Sequence, residues 1–138
     1  MTPNVIILAA GKGSRMKSNT PKVLHPVAGE PMLHRVIKTA AQLAPEEMHL
    51  VLGHGIDQIE ASLSALDGPL NTVLQAEQLG TGHAVKIALA HVPDDGISLV
   101  LYGDVPLITH GTLAECVAAA QLGHLSIVTA EFSDPAQL

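Results

Sequence analysis

Short apolar runs recur along this chain at Val5 to Ala10, Met48 to Leu52, Asn71 to Gln75, Ser98 to Tyr102 and Leu125 to Ala130, separated by stretches with helical periodicity. Apolar residues in succession, rather than at alternate positions, predict strands buried on both faces, as in a parallel sheet. Between the runs lie four amphipathic stripes. Met32, Leu33, Val36, Ile37, Ala40 and Ala41 make the first; Ile56, Ile59, Leu63 and Leu66 the second; Ala84, Val85, Ala88 and Leu89 the third; Leu113, Cys116, Val117 and Ala120 the fourth. Parallel strands need crossovers that cover both sheet faces, so this alternation predicts a doubly wound, Rossmann-like α/β/α sandwich of three layers. A chain of 138 residues fits one such domain. In sheets of this type ligands sit beyond the carboxyl ends of the strands.

The first run empties into Gly11-Lys12-Gly13-Ser14-Arg15-Met16-Lys17. Glycines let the backbone approach an anion closely, and cations add charge that neutral amides lack, so a strand ending this way predicts a phosphate cradle. Charge is distributed accordingly. Lys12, Arg15, Lys17 and Lys22 precede the first carboxylate, Glu30, while the whole chain carries a net charge of -6. A cationic island on an acidic protein suits a small polyanion, whereas nucleic acid selects a broad basic face. Tyr102 and Phe132 are the only large aromatics, which also excludes base-stacking platforms for single strands. Two familiar phosphate motifs fail at Met16, which denies both the small third position of a dinucleotide fingerprint and the last glycine of a P-loop.

Several of these residues also have plain structural readings. A Gly-x-Gly after a strand can be a tight turn, surface lysines and arginines are usually solvated, and Gly103-Asp104 after a strand can close a loop. Thr81 can serve as the N-cap of the third helix. Lone Cys116, on an apolar helical face, is expected to be a buried structural thiol. His49 and His54 straddle a strand end, and His83 and His91 lie eight residues apart on one helix. Neither pair has the spacing of a metal site. The opening apolar run is too short, and lacks the preceding basic segment, for a secretory signal, and no stretch is long enough to span a bilayer. A cytoplasmic protein is expected, with no nucleic-acid or membrane partner.

Leu8-Ala9-Ala10-Gly11-Lys12-Gly13-Ser14-Arg15-Met16, with Pro21-Lys22-Val23-Leu24 and Gly29-Glu30-Pro31-Met32, resembles the signature of sugar-phosphate nucleotidylyltransferases. Two further blocks narrow the resemblance: Gln75-Ala76-Glu77-Gln78-Leu79-Gly80-Thr81-Gly82-His83-Ala84 and Leu101-Tyr102-Gly103-Asp104-Val105-Pro106-Leu107-Ile108. Both are similar to the uridylyltransferase domain of the bacterial bifunctional N-acetylglucosamine-1-phosphate uridylyltransferase/glucosamine-1-phosphate N-acetyltransferase family.

The resemblance implies uridylyl transfer from UTP to N-acetylglucosamine 1-phosphate, giving UDP-N-acetylglucosamine and pyrophosphate, with Mg²⁺ as cofactor. It implies catalytic roles for Arg15 and Lys22, with Arg15 and the Gly11 to Gly13 backbone holding the triphosphate. It gives substrate-binding roles to Leu8, Ala9, Ala10, Gly11, Gly13, Lys22, Gln75, Gly80, Thr81, Tyr102, Gly103 and Asp104, and makes Asp104 the metal ligand. Ala10, Gln75 and Gly80 are implied to contact uracil, with Thr81 nearby. Residues 1–138 are expected to be the N-terminal part of a nucleotidylyltransferase domain. The left-handed β-helix acetyltransferase domain, through which the family forms homotrimers, and further metal and sugar ligands are expected beyond this length, so the piece itself is expected to transfer little. Two other readings stay open: a nucleotidylyltransferase for another nucleotide, and a noncatalytic nucleotide-binding module.

Overall fold

The structure is a computed structural model that describes residues 2–11, 18–134 and 136. Four parallel strands form its sheet: β1 (Asn4–Leu8), β4 (Met48–Leu52), β5 (Leu70–Leu74) and β6 (Ser98–Tyr102), in the order β5-β4-β1-β6. Every residue of β1 and β4 is buried, as the unbroken apolar runs predict. Position in the sheet explains this, because these strands are the inner two and have neighbours on both sides.

Layers follow from the alternation of side chains along β1. Val5, Ile7 and Ala9 pack with Leu33, Val36 and Ile37 of α1 (Met32–Ala41), Ile59 of α2 (Ile56–Leu63) and Leu113 of α4 (His110–Gln121). Ile6, Leu8 and Ala10 point the other way, onto Ala84 and Ala88 of α3 (Thr81–Leu89), with Val51 and Val92. Small alanines at the α3 contact let that helix lie close to the sheet. The chain therefore passes outward through β4 and β5, then returns across the opposite face through α3 to place β6 on the other side of β1. That reversal creates a crevice at the carboxyl ends of β1 and β6, where doubly wound sheets hold their ligands.

A short antiparallel hairpin, β2 (Pro26–Val27) and β3 (Glu30–Pro31), precedes α1. Its two turn residues, Ala28 and Gly29, have φ values of 50° and 80°, the left-handed pair that a two-residue hairpin requires. Arg35 holds the hairpin to α1, donating from Nε to the Val27 carbonyl at 2.8 Å and from Nη2 to the Ala28 carbonyl at 3.3 Å.

Three expectations need correction. The run Leu125 to Ala130 forms no strand; Leu125 and Ile127 are 90% and 73% exposed, and a groove of about 810 Å³ lies between this segment, α4 and β6. An apolar run becomes a strand only where an edge pairs with it, and this segment pairs with none. Consequently β6 is an edge strand, and β5 and β6 are only partly buried rather than covered on both faces. Cys116 is half-buried rather than buried, because α4 tucks Leu113 and Val117 inward and leaves Cys116 at the margin.

Candidate active site

A cavity of about 500 Å³ opens at the carboxyl ends of the strands. Leu8, Ala9, Ala10 and Gly11 line it from the end of β1, Gln75 from the end of β5, and Tyr102 and Asp104 from the end of β6. Gly80, Thr81 and Ala84 contribute the start of α3, while Lys22 and Val23 come from the single turn of 3-10 helix at Lys22–Leu24. Of the residues expected here from sequence, Gly13 and Arg15 lie outside the described residues, as do Lys12 and Lys17. Gly103 does not line the cavity. It is buried beneath it, donating its backbone N–H to the Leu8 carbonyl at 2.9 Å and so clamping the end of β6 to the end of β1. A Cβ there would meet Leu33 Cδ1 at 3.2 Å and the Leu8 carbonyl oxygen at 3.3 Å, so glycine is the residue that fits.

Lys22 is placed by its neighbours rather than by the sheet. Val23 is buried in the core, Leu24 donates its backbone N–H to the Pro21 carbonyl at 3.0 Å, and Pro21 packs over Gly55 at the start of α2. Gly55 has a φ of 72° and leaves no room for a Cβ beside Pro21. The turn directs Lys22 Nζ across the cavity to Asp104 Oδ2 at 2.8 Å, bridging 82 residues of sequence. Both side chains keep over a third of their surface exposed. The pair therefore stands at a wet mouth, where an incoming anion can compete for the ammonium.

Gln75 is nearly sealed, at 3% exposure. Its backbone N–H continues the sheet by donating to the Leu52 carbonyl at 2.7 Å. Its side-chain Nε2 lies 3.2 Å from the Gly80 carbonyl and 3.0 Å from His83 Nδ1. Gly80 caps α3 with a φ of 101° and ψ of 177°, a conformation open essentially to glycine alone. Thr81 is thus the first helical residue rather than the N-cap, and its hydroxyl makes no capping hydrogen bond. Gly80 and Thr81 bring the N-terminal end of α3 to the cavity, and a helix N-terminus favours negative charge.

Sequence reasoning missed four contributors: Val23, Gln78 and Ala84 in the lining, and His83 behind Gln75. Each lies inside a motif already singled out, but their roles depend on packing. Gln78 Nε2 donates to the Gln75 carbonyl at 3.2 Å and fills the space over Gly53, bracing the loop after β5.

Asp104 is the only carboxylate lining the cavity, and no cluster of three or more potential metal-ligating side chains occurs among the described residues. A lone carboxylate fits a hard cation that keeps most of its water and takes further oxygen ligands from a bound anion. It does not fit a cation held by the protein alone.

The family model described as the MobA-like NTP transferase domain matches residues 5–137. The bifunctional protein GlmU of Marinobacter nauticus is 57% identical over 136 residues, which cover 98% of this chain and 30% of that protein. The protein of the same name from Pseudomonas aeruginosa is 53% identical over 135 residues, covering 98% and 29%. The chain thus spans about 30% of the length of these curated relatives. Rv0371c of Mycobacterium tuberculosis, a solved structure, aligns with a TM-score of 0.76 at 23% identity, over 88% of this chain and 61% of that one. The same protein has also been solved in complex with manganese, with a TM-score of 0.73, 23% identity and the same coverage. With matched residues running from β1 through every strand of the sheet, this chain belongs to the MobA-like NTP transferase family and is similar over nearly its whole length to the N-terminal region of GlmU.

Proposed function

We propose that these residues form the nucleotide-binding part of a uridylyltransferase that joins UTP to N-acetylglucosamine 1-phosphate, releasing pyrophosphate and UDP-N-acetylglucosamine. The observation that carries this reading is the Lys22–Asp104 pair at 2.8 Å over the Gly11 end of β1. It offers a half-exposed cation and a carboxylate that could meet the phosphates and metal of a nucleoside triphosphate.

In the reaction, an oxygen of the sugar phosphate attacks the α-phosphorus in line and the bond to the β-phosphate oxygen breaks. Two anions must meet, and the departing pyrophosphate gains charge. Positive charge aimed at those oxygens is accordingly the chief catalytic need. Lys22 supplies it once its ammonium exchanges Asp104 for phosphate. Gly11 allows close backbone approach, and Gly13 and Arg15 complete the cradle in this proposal. Asp104 would hold Mg²⁺, which when bound neutralises phosphate charge. Leu8, Ala9 and Tyr102 wall the nucleotide, Gly103 holds the two strand ends at the right separation, and Ala10, Gln75 and Gly80 meet the base, with Thr81 nearby.

A second reading, nucleotide binding with little transfer by these 138 residues, is favoured by the solitary carboxylate at the cavity. Binding needs only the local cradle, whereas transfer needs the second substrate held in line, and misplacement by about 1 Å can cost about 100-fold. On the proposed reading these residues are the first part of a longer transferase domain, working in the cytoplasm. Acetyl transfer and trimer formation would belong to other parts of such a protein.

The test is nucleotide selection. UTP should bind this chain more tightly than CTP, and a longer chain competent in transfer should prefer UTP in kcat/KM. Equal use of both would sink the uridylyl assignment.

A further inference from the structure

We propose that His83 is a positioning residue for base selection, its Nδ1 locking the Gln75 amide so that only an acceptor face meets the nucleobase. This rests on the uridylyl reading above and adds to it a residue that does not line the cavity.

The argument is one of satisfiable donors. A side-chain amide has two N–H donors and one carbonyl acceptor. Gln75 Nε2 sits 3.2 Å from the Gly80 carbonyl and 3.0 Å from His83 Nδ1. The Gly80 oxygen can only accept, so an amide turned the other way would set oxygen against oxygen in a nearly sealed position. With Nε2 fixed there, His83 Nδ1 must accept the second N–H, and the imidazole carries its proton on Nε2. Both donors are then spent inside the protein. No hydrogen bond to Gln75 Oε1 occurs from any described residue. Gln75 lines the cavity, so the group left to engage a ligand is an acceptor.

An acceptor at this place discriminates between pyrimidines. The uracil ring carries N3–H, which can donate to Oε1; cytosine has a bare N3 lone pair at that position, which repels it. Without His83 only the Gly80 contact orients the amide, and the second N–H is released to satisfy cytosine. The support is rigid, because Gln75 follows β5 directly and His83 is the third residue of α3.

The experiment titrates UTP and CTP calorimetrically into the 138-residue chain and into His83→Ala and His83→Asn, with the Gln75 side-chain amide followed by ¹⁵N NMR. His83→Ala should lower the UTP-over-CTP affinity ratio by about fivefold, the worth of one neutral hydrogen bond. The change should include a gain for CTP, which finds the released N–H, beside any loss for UTP. His83→Asn, whose Oδ1 can accept the same N–H, should recover most of the ratio, and one Gln75 amide proton should shift in His83→Ala without nucleotide. An unchanged ratio, or equal weakening of both nucleotides, overturns the proposal, because a merely structural role would weaken both alike. If His83→Ala does not fold, His83→Leu, which likewise offers no acceptor, takes its place: a lowered ratio recovered in His83→Asn supports the proposal and an unchanged one overturns it. A parent chain with no preference between UTP and CTP, or binding neither, removes the uridylyl reading and this inference with it. A UTP preference indifferent to residue 83 removes the inference alone.

Discussion

Replacing Lys22 separates its part in the fold from its proposed part in phosphate binding, the first expected to be weak and the second strong. At the 2.8 Å separation from Asp104, Coulomb attraction runs from about 1.5 kcal/mol in water to about 6 kcal/mol at an effective dielectric of roughly 20. Exposure of 40% and 36% puts the pair near the aqueous limit, and the entropy of holding a long side chain offsets most of the remainder. The net contribution to folding should be about 0.2–1 kcal/mol. Lys22→Met, which keeps most of the stem, should lower stability by no more than this. Against a triphosphate the same change removes a charge-assisted hydrogen bond worth about 1.5–3 kcal/mol, so UTP should bind about 10- to 150-fold more weakly. In a longer chain competent in transfer, turnover should fall by about two orders of magnitude or more. Asp104→Asn should act with two signs. Without metal it frees the ammonium and removes an anion facing the phosphates, so UTP affinity should rise; with Mg²⁺, the metal-dependent gain in affinity should shrink. Urea unfolding reads the stability, calorimetry in chelator and in Mg²⁺ reads the three binding quantities, and a pyrophosphate-release assay reads turnover. A Lys22→Met chain destabilised by more than about 2 kcal/mol but binding UTP normally would make the pair a structural tie, beyond the range expected for exposed ion pairs. An Asp104→Asn chain weakened equally in both buffers would refute the assignment of Asp104.

Three further outcomes concern the scaffold. Gly103→Ala should destabilise by about 1–3 kcal/mol in urea, because the new Cβ meets core Leu33 and the Leu8 backbone, neither of which can move freely; unchanged stability would mean the strand ends separate easily. His49→Leu should raise Tm by about 2–8 °C, since both ring nitrogens of this buried residue lack hydrogen bonds and its contact with Glu47 at 3.2 Å is ionic only if the ring is protonated; a lower Tm would show that the Glu47 contact is worth more than the desolvation it costs. Burial holds the His34 pKa below its ordinary 6.5, opposed by Glu30 and assisted by Lys38. As pH falls through that value the unfolded chain takes the proton first, so this contribution is complete above about 6.5 and is lost below it. His34→Gln, which can still donate to Ser62 Oγ where His34 Nε2 lies at 3.0 Å, should flatten the change in urea midpoint between about pH 7.5 and about pH 5.5, and an unaltered slope would assign it to other groups.

Much of the fold was legible because two signals agreed. Unbroken apolar runs mark inner strands, and β1 and β4 are where the pattern is purest and burial complete. The same reasoning overreached at the edges. Asn71 and Thr72 of β5 already carried polar side chains, which fits the partly exposed edge strand they form. Leu125 to Ala130 reads as strongly as β6, but local pattern cannot provide the partner that a ladder needs. The hairpin at Ala28-Gly29 was invisible for the opposite reason: two residues per strand are too few for any periodicity, and the turn reveals itself only through φ.

The residues that line the cavity stand in motifs the sequence shows, yet the pairing of Lys22 with Asp104 was not legible. Lys22 and Asp104 each stand in a local context, a turn after proline and a turn after a strand, that has an ordinary structural explanation. What changes their meaning is the strand order β5-β4-β1-β6, which carries the chain out and back so that the end of β6 lies beside the end of β1. Gly103 enforces the contact by hydrogen-bonding Leu8, and Pro21 over Gly55 swings Lys22 across the gap. Neither constraint has a sequence period, because each joins residues far apart in the chain through a close approach that only glycine permits. The geometry of this cavity is therefore held by two glycines, Gly55 and Gly103. Their substitution should displace the Lys22–Asp104 geometry even where every charged group is retained.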